Sequence, residues 1–345
     1  MNFTSIFLLT IFTSSLLSAS AFAQRTLRYT DHEPLGVMRT QFIKDVFFSA
    51  VEEESNGGLK IEDHWNSEIA KSYDALGAVK EGQAVDMAIV VPEYAPNNLP
   101  LHQIFKSFPI GPTGAKQIEF FRRVYREIPE FSEELKKENV VPVFLATGYP
   151  VAFYGIKPLN TLDDLKGDRW RTASFWHQGF LKNTGATPVT MPWNEGINKA
   201  MQEKTLDGVM VNVDSGYQLK IYETAAHVLV SPDLWLGHLY LLVMNKNTWD
   251  SLDEKDRQAI KRAAESAYKK LGPVMDSSFI TQVDDLKKVG ATVRILERPE
   301  VERWSTATQY QSLQAEWVKE QQAKGTPNIG PTMKKVGDIM RDVMK

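Results

Sequence analysis

The fold class predicted from the sequence is α/β, with two similarly built domains facing each other across a cleft. Three observations predict it. The first part of the chain alternates strand and helix patterns, a helix–strand unit from that part returns further along, and each copy ends in a buried apolar strand that runs into a polar, aromatic loop. Open α/β sheets take ligands beyond the carboxyl ends of their strands, so two opposed loop sets make a site between domains.

The chain opens with MNFTSIFLLTIFTSSLLSASAFAQ, in which residues 1–23 carry no charged side chain. The apolar core Ile6–Leu17 and the small-x-small end Ala21-Phe22-Ala23 read as a secretory signal peptide cleaved after Ala23. Its interruption by Thr and Ser, and a length short of the roughly 20 residues of a span, argue against a membrane anchor. The mature chain is therefore expected to be soluble and exported to the periplasm. It contains no cysteine, so disulfides are excluded and stability must come from apolar cores. A formal net charge of −3 gives no reason to expect nucleic acid or an anionic membrane as partner.

LRYT (27–30) reads as the first strand, followed by a helix from about Gly36 to Glu54 with Met38, Phe42, Val46 and Ala50 on one stripe, closed by Gly57-Gly58. LKIEDHW (59–65) is the next strand. A helix over 68–81 carries Ile69, Tyr73 and Leu76 inward, and VDMAIVV (85–91) reads as a strand buried on both faces. NEGINKAMQEKTLDGVMVNV (194–213) repeats the pattern of YDALGAVKEGQAVDMAIVV (73–91), Leu206-Asp207 matching Val85-Asp86. Towards the end, Ser251-x-x-Glu254 is expected to cap a helix running to about Leu271, which Gly272-Pro273 must kink or end. A further helix to about Val289, a strand at 291–296 and helices over 299–323 and 331–344 complete the chain.

Enzymatic signatures are missing: no G-x-G-x-x-G, no phosphate loop and no G-x-S-x-G. His32, His64, His102, His177, His227 and His238 never fall into metal-ligand spacing, so no cofactor or metal is expected. Asp31-His32-Glu33 reads as a loop rim or helix start, and Asp163-Asp164 as acids of the first turn after a Thr161 cap.

The segment NTLDDLKGDRWRTAS carries two arginines on one strand. Thr161 caps a single turn, Gly167 ends it, and 168–174 leave as a strand aimed at the cleft. Arg169 reads as a surface or acid-paired residue. Arg171, nearer the strand's carboxyl end, divides between structural pairing and ligand binding; its planar fork suits a carboxylate.

The chain resembles the solute-binding proteins of tripartite ATP-independent periplasmic (TRAP) transporters, of the DctP type. The resemblance rests on the ordered set GGLKIE (57–62), AVKEGQAVDMAI (78–89), LPLHQIFKSFPIG (99–111), DDLKGDRWR (163–171), GATPVTMPWNE (185–195), LDGVMV (206–211), YE (222–223) and LLVMNKNTWDSLDEKDRQAI (241–260). It implies a periplasmic binding protein fold with crossing hinge strands and a long helix lying across both domains. The implied division is 24–148 plus 237–276 for one domain and 149–236 plus 277–345 for the other. It further implies capture of a small organic acid by domain closure, delivery to membrane permease subunits, and a monomer that is not an enzyme. The family's carboxylate-binding arginine falls on Arg171. Its other contacts fall on Ser174, Val91, Tyr94 and Val211, with Glu93 and Asn212 as neighbours, and its aromatic-bearing segment offers Trp193. Val151 stands where sialate-binding members carry a second arginine, which implies a smaller or more apolar site, rimmed by Tyr94, Trp193, Trp176 or Trp235. Glu93, Asp214 and Asp233 leave an amine or zwitterionic solute open. An exported enzyme, or a binding protein of an ATP-driven importer or a sensor, are the remaining readings.

Overall fold

The structure, a computed structural model, describes residues 24–191 and 193–345; the expected signal peptide lies outside the described residues. Among the described residues no helix is long and apolar enough to cross a membrane. Eleven strands form the framework: β1 (Arg25–Thr30), β2 (Leu59–His64), β3 (Met87–Val90), β4 (Val140–Thr147), β5 (Val151–Gly155), β6 (Arg169–Thr172), β7 (Thr187–Thr190), β8 (Gly208–Asn212), β9 (His227–Val230), β10 (Leu239–Asn245) and β11 (Thr292–Ile295). They make a five-stranded sheet in the order β2-β1-β3-β10-β4 and a six-stranded sheet in the order β11-β9-β5-β8-β6-β7.

The sequence repeat is a structural repeat. β2, β1 and β3 run parallel in one sheet as β7, β6 and β8 do in the other. The matching aspartates make matching bonds. Asp86 Oδ2 accepts the Arg28 N–H at 2.8 Å, and Asp207 Oδ2 accepts the Arg169 N–H at 2.9 Å. In each case the aspartate's own N–H donates back to the arginine carbonyl, at 2.8 and 2.9 Å. The carboxylate thus satisfies a backbone donor of each inner parallel strand, within β1 and at the start of β6.

Among the described strands the chain crosses between sheets three times, from β4 to β5, from β9 to β10 and, through the helix Glu254–Lys288, from β10 to β11. The second crossing turns at Gly237, whose φ of +67° and 2.3 Å approach of a would-be Cβ to the Phe105 carbonyl oxygen admit only glycine. One apolar core lies between the first sheet, the helical run from Met38 to Glu54 and the helix Glu254–Lys288. A second packs β5, β8 and β9 against the carboxyl half of that long helix. A third continues from Phe105, Phe120 and Phe121 through Trp176 and Phe180 to Met333 and Val336, joining the two halves.

Several expectations need correction. The helix Glu254–Lys288 is continuous, 35 residues long, and passes through Gly272-Pro273 without ending. Its cap is Asp253, whose side chain accepts the Asp256 N–H, while the Ser251 hydroxyl donates instead to the Thr248 carbonyl. The first helix contains a π-helical stretch, Ile43–Phe48, whose wider turn moves the buried stripe onto Phe42, Ile43, Phe47 and Val51. The helix expected over 68–81 shortens to Ala75–Glu81, since Asn66 and Ser67 adopt positive φ, and Tyr73 stands exposed. The run 299–323 divides into Arg298–Ala307 and Tyr310–Ala323 at Gln309, φ +51°. The last helix, Ile329–Val343, packs on Gly114–Glu127 and Leu101–Lys106 of the first half and also on Tyr310–Ala323.

Candidate ligand-binding site

A cavity with about 430 Å³ of empty space lies between the carboxyl ends of the parallel strands of both sheets. Arg171 enters it from the end of β6. The side chain is 3% exposed, and its Nε and Nη2 donate to the Met191 carbonyl oxygen at 3.0 and 2.8 Å. The Trp193 ring centroid lies 5.2 Å from the guanidinium carbon, a cation–π approach. Among the described residues no carboxylate pairs with Arg171, and burial draws its pKa downward. With the Nε–Nη2 edge held by Met191, the Nη1–Nη2 edge remains for a bidentate acceptor.

The other formal charges on the cavity wall have partners, although Arg39 is shared by two carboxylates, Asp31 and Glu33, and offsets one charge of the two. Lys106 and Glu93 form a buried ion pair at 2.8 Å, with His238 Nε2 3.1 Å from the same carboxylate. Burial alone would raise the Glu93 carboxyl; Lys106, and after it His238, hold it well below the usual range. Glu33 is bonded by Arg39 at 2.6 Å, and Arg39 also grips Asp31 through two bonds of 2.6 and 3.1 Å while its guanidinium lies over Tyr240, 4.2 Å from the ring centroid. The Tyr240 hydroxyl reaches both Glu33 and His238, so these groups form one hydrogen-bonded wall. Asp214 sits beside the cavity, accepting from Asn212 at 2.5 Å. Burial, reinforced by the Glu33 charge, raises its pKa to about 7.

Of the residues singled out in the sequence, Arg171, Tyr94, Glu93, Ser174, Trp193, Val211, Asn212 and Val91 are brought together on this cavity. Two are not. Val151 is fully buried in the core that joins the halves, and Asp233 pairs at the surface with Arg298 at 2.9 Å. Trp176 and Trp235 are likewise core residues rather than a rim: their indole N–H groups donate to the carbonyls of Gln103 and Phe105. Arg169 pairs with Asp207 and donates to the Lys204 carbonyl, as an acid-paired residue should. Asp31 and Glu33 are the anchors of Arg39 rather than a loop rim. Lys106, His177, His238 and Arg39 went unread, because their partners lie far away in sequence and no local pattern marks them.

The chain matches the family described as bacterial extracellular solute-binding protein, family 7 (DctP), over residues 38–318. It belongs to that family. A solute-binding protein of Chromohalobacter salexigens is 26% identical over 262 residues, 73% of each chain. Among solved structures, a TRAP solute-binding protein of Rhodoferax ferrireducens in complex with copurified benzoate superposes with a TM-score of 0.80 at 18% identity, covering 93% of this chain and 99% of that one. One from an unidentified marine microbe, in complex with 3-hydroxybenzoate, superposes with a TM-score of 0.80 at 20% identity and the same coverage. The family is one of transport proteins that bind solutes, and the crossing strands and spanning helix expected of its fold are present in this member.

Proposed function

We propose that this chain is the extracytoplasmic solute-binding component of a TRAP transporter, that it acts as a monomer, and that its solute is a small organic acid whose carboxylate is held by Arg171. One observation carries the reading. Arg171 is a buried cation with a free bidentate edge, on a wall where the other cations, Lys106 and Arg39, are already held by carboxylates. Leaving such a charge without a counter-ion is unfavourable, so an anion entering the cavity gains both the pairing and the relief of that burden. Two lobes, residues 24–148 with 237–276 and 149–236 with 277–345, would contribute Glu93 and Tyr94 on one side and Arg171 and Trp193 on the other. Ligand then favours the closed arrangement, since only that arrangement makes both sets of contacts. Lys106 matches Glu93 and Arg298 holds Asp233 at the surface, which leaves Asp214 and the Asp31–Glu33 pair as the anions that an amine or zwitterionic solute would have to use.

Benzoate, 3-hydroxybenzoate and pyroglutamate, the ligands of structural relatives, are the first acids to test. Isothermal titration is expected to detect at least one of them and not the corresponding amide. Arg171→Ala should weaken that acid by roughly 100- to 1,000-fold, the effect of removing one partner of a desolvated charge pair. Arg171→Lys should restore only part, for want of the planar fork. Undiminished binding by Arg171→Ala would sink the role given to Arg171.

A further inference from the structure

Two residues of the cavity wall carry a buried polar atom with no hydrogen-bond partner among the described residues: His32, whose Nδ1 lies 3.7 Å from the Asp31 carboxylate, and His177, which has no such neighbour. His177 Nε2 is sealed from solvent and accepts or donates no hydrogen bond among the described residues, although the side chain is only 1% exposed and lines the cavity. Buried polar groups are nearly always satisfied, so an unsatisfied one on a ligand cavity calls for an occupant. The residue is well placed for the task. Ser174 is the N-cap of the helix Phe175–Asn183, and His177, three positions on, shares its face. Arg171 and His177 therefore leave one strand–turn–helix connection and enter the same space.

We infer that the cavity recognises its solute at two points, and that the second is His177, which takes a neutral hydrogen-bonding group (a hydroxyl or a ring N–H) on a small monocarboxylic acid. The inference rests on the carboxylate reading of Arg171 and adds the second half of the ligand. A hydroxyl suits an imidazole of either tautomer, because it can donate and accept. A second carboxylate does not suit this corner. The groups near His177 are Lys106, Glu93 and His238, and Lys106 is already held by Glu93. A second anion would meet the Glu93 charge with no cation left to match it. Burial, and next the Lys106 charge, also lower the His177 pKa well below its ordinary value, so the ring is neutral at pH 7 and offers no positive charge. Val91, Met210, Val211 and Leu236 give the wall an apolar portion, beside the polar Ser174 and Asn212, that suits a compact hydrocarbon or aromatic frame between the two points.

The test uses matched acids that differ by one polar group: benzoate against 3-hydroxybenzoate, and cyclopentanecarboxylate against pyroglutamate, with succinate as the diacid. Dissociation constants are measured by titration calorimetry on the wild-type protein and on His177→Phe and His177→Gln. The polar member of at least one pair is expected to bind about 10- to 100-fold tighter than its bare partner, the range for a buried group left unpaired by the wrong ligand. Succinate should bind more weakly than either. In His177→Phe the ratio within the pair should fall to about one while the bare acid keeps its affinity, which also shows that the variant folds; His177→Gln should regain part of the ratio. Equal binding within both pairs, a ratio unchanged in His177→Phe, or tighter binding of succinate overturns the inference. If the bare acids bind and Arg171→Ala abolishes that binding, the carboxylate reading survives such a result. If none of the five acids binds, the carboxylate reading and this inference fall together.

Discussion

Arg169 and Arg171 show how position along a strand decides the use of a side chain. They point to the same side of β6, yet Arg169 stands at the strand's start, where Asp207 and the Lys204 carbonyl take its donors, and Arg171 at its end, inside the cavity. Asp214 is the opposite case, a buried carboxyl without a cation. Its pKa of about 7 lies above the unfolded value, so between roughly pH 4 and 7 the folded protein binds a proton that the unfolded chain has released. The contribution of this group to stability therefore falls as pH rises, at up to about 1.4 kcal/mol per pH unit, and levels off above 7. Asp214→Asn keeps an acceptor for Asn212 and for the Ser215 N–H without the charge. Urea unfolding should find this variant more stable than wild type at pH 8, with the difference shrinking steadily towards pH 4. A pH-independent difference would mean that Asp214 does not titrate in that range.

At the scale of elements, the helix Glu254–Lys288 overrides its own sequence. Pro273 removes one backbone donor and crowds the preceding turn, worth about 3 kcal/mol in an isolated helix. Packing decides otherwise, because Ala263, Ala267 and Leu271 are buried on the first core while Val283 and Leu286 are buried on the second. Gly272 is kept by contact and not by flexibility: a Cβ there would lie 2.8 Å from the Ala115 Cα of the neighbouring helix. Gly272→Ala gains about 1 kcal/mol of helix propensity but must push two backbones apart, which costs about 1–3 kcal/mol. A net loss of stability is expected in denaturant unfolding; a gain would mean that the helix Gly114–Glu127 can shift freely. The same contrast explains what was legible. Local signals read well: the Thr161 capping box, the turn at Gly167, and the Val85-Asp86 and Leu206-Asp207 pairs whose carboxylates make equivalent bonds. What depended on distant partners did not. Glu93 meets His238 across 145 residues, and neither Lys106 nor His177 carries a mark of cavity position in its neighbourhood. The eight site residues on the cavity lie where the ordered family resemblance put them or beside such positions, whereas Val151 lies in the core and Asp233, named only as a nearby acid, pairs with Arg298 at the surface.

At the scale of the whole molecule, the buried position of Arg171 has a mechanical consequence. A guanidinium 3% exposed, roofed by Trp193 and faced by Tyr94 from the other sheet's loops, is covered in this arrangement, so under the proposed function the two halves part to admit a solute. The connections allow parting, since only two crossing segments and one long helix pass directly between the sheets, with Gly237 at one crossing. Binding and closure are then one equilibrium, and a solute at 100 times its dissociation constant stabilises the closed protein by about 2.7 kcal/mol. For a chain of this size that amounts to a rise in melting temperature of roughly 5 °C. Solution X-ray scattering on the wild type should record a smaller radius of gyration when a bound acid is added, together with a change in tryptophan fluorescence that Trp193→Phe diminishes. Arg171→Ala should show neither change at the same acid concentration. An acid that raises the melting temperature while leaving the radius of gyration constant would separate binding from closure, and would mean that the cavity fills through a path other than the parting of the halves.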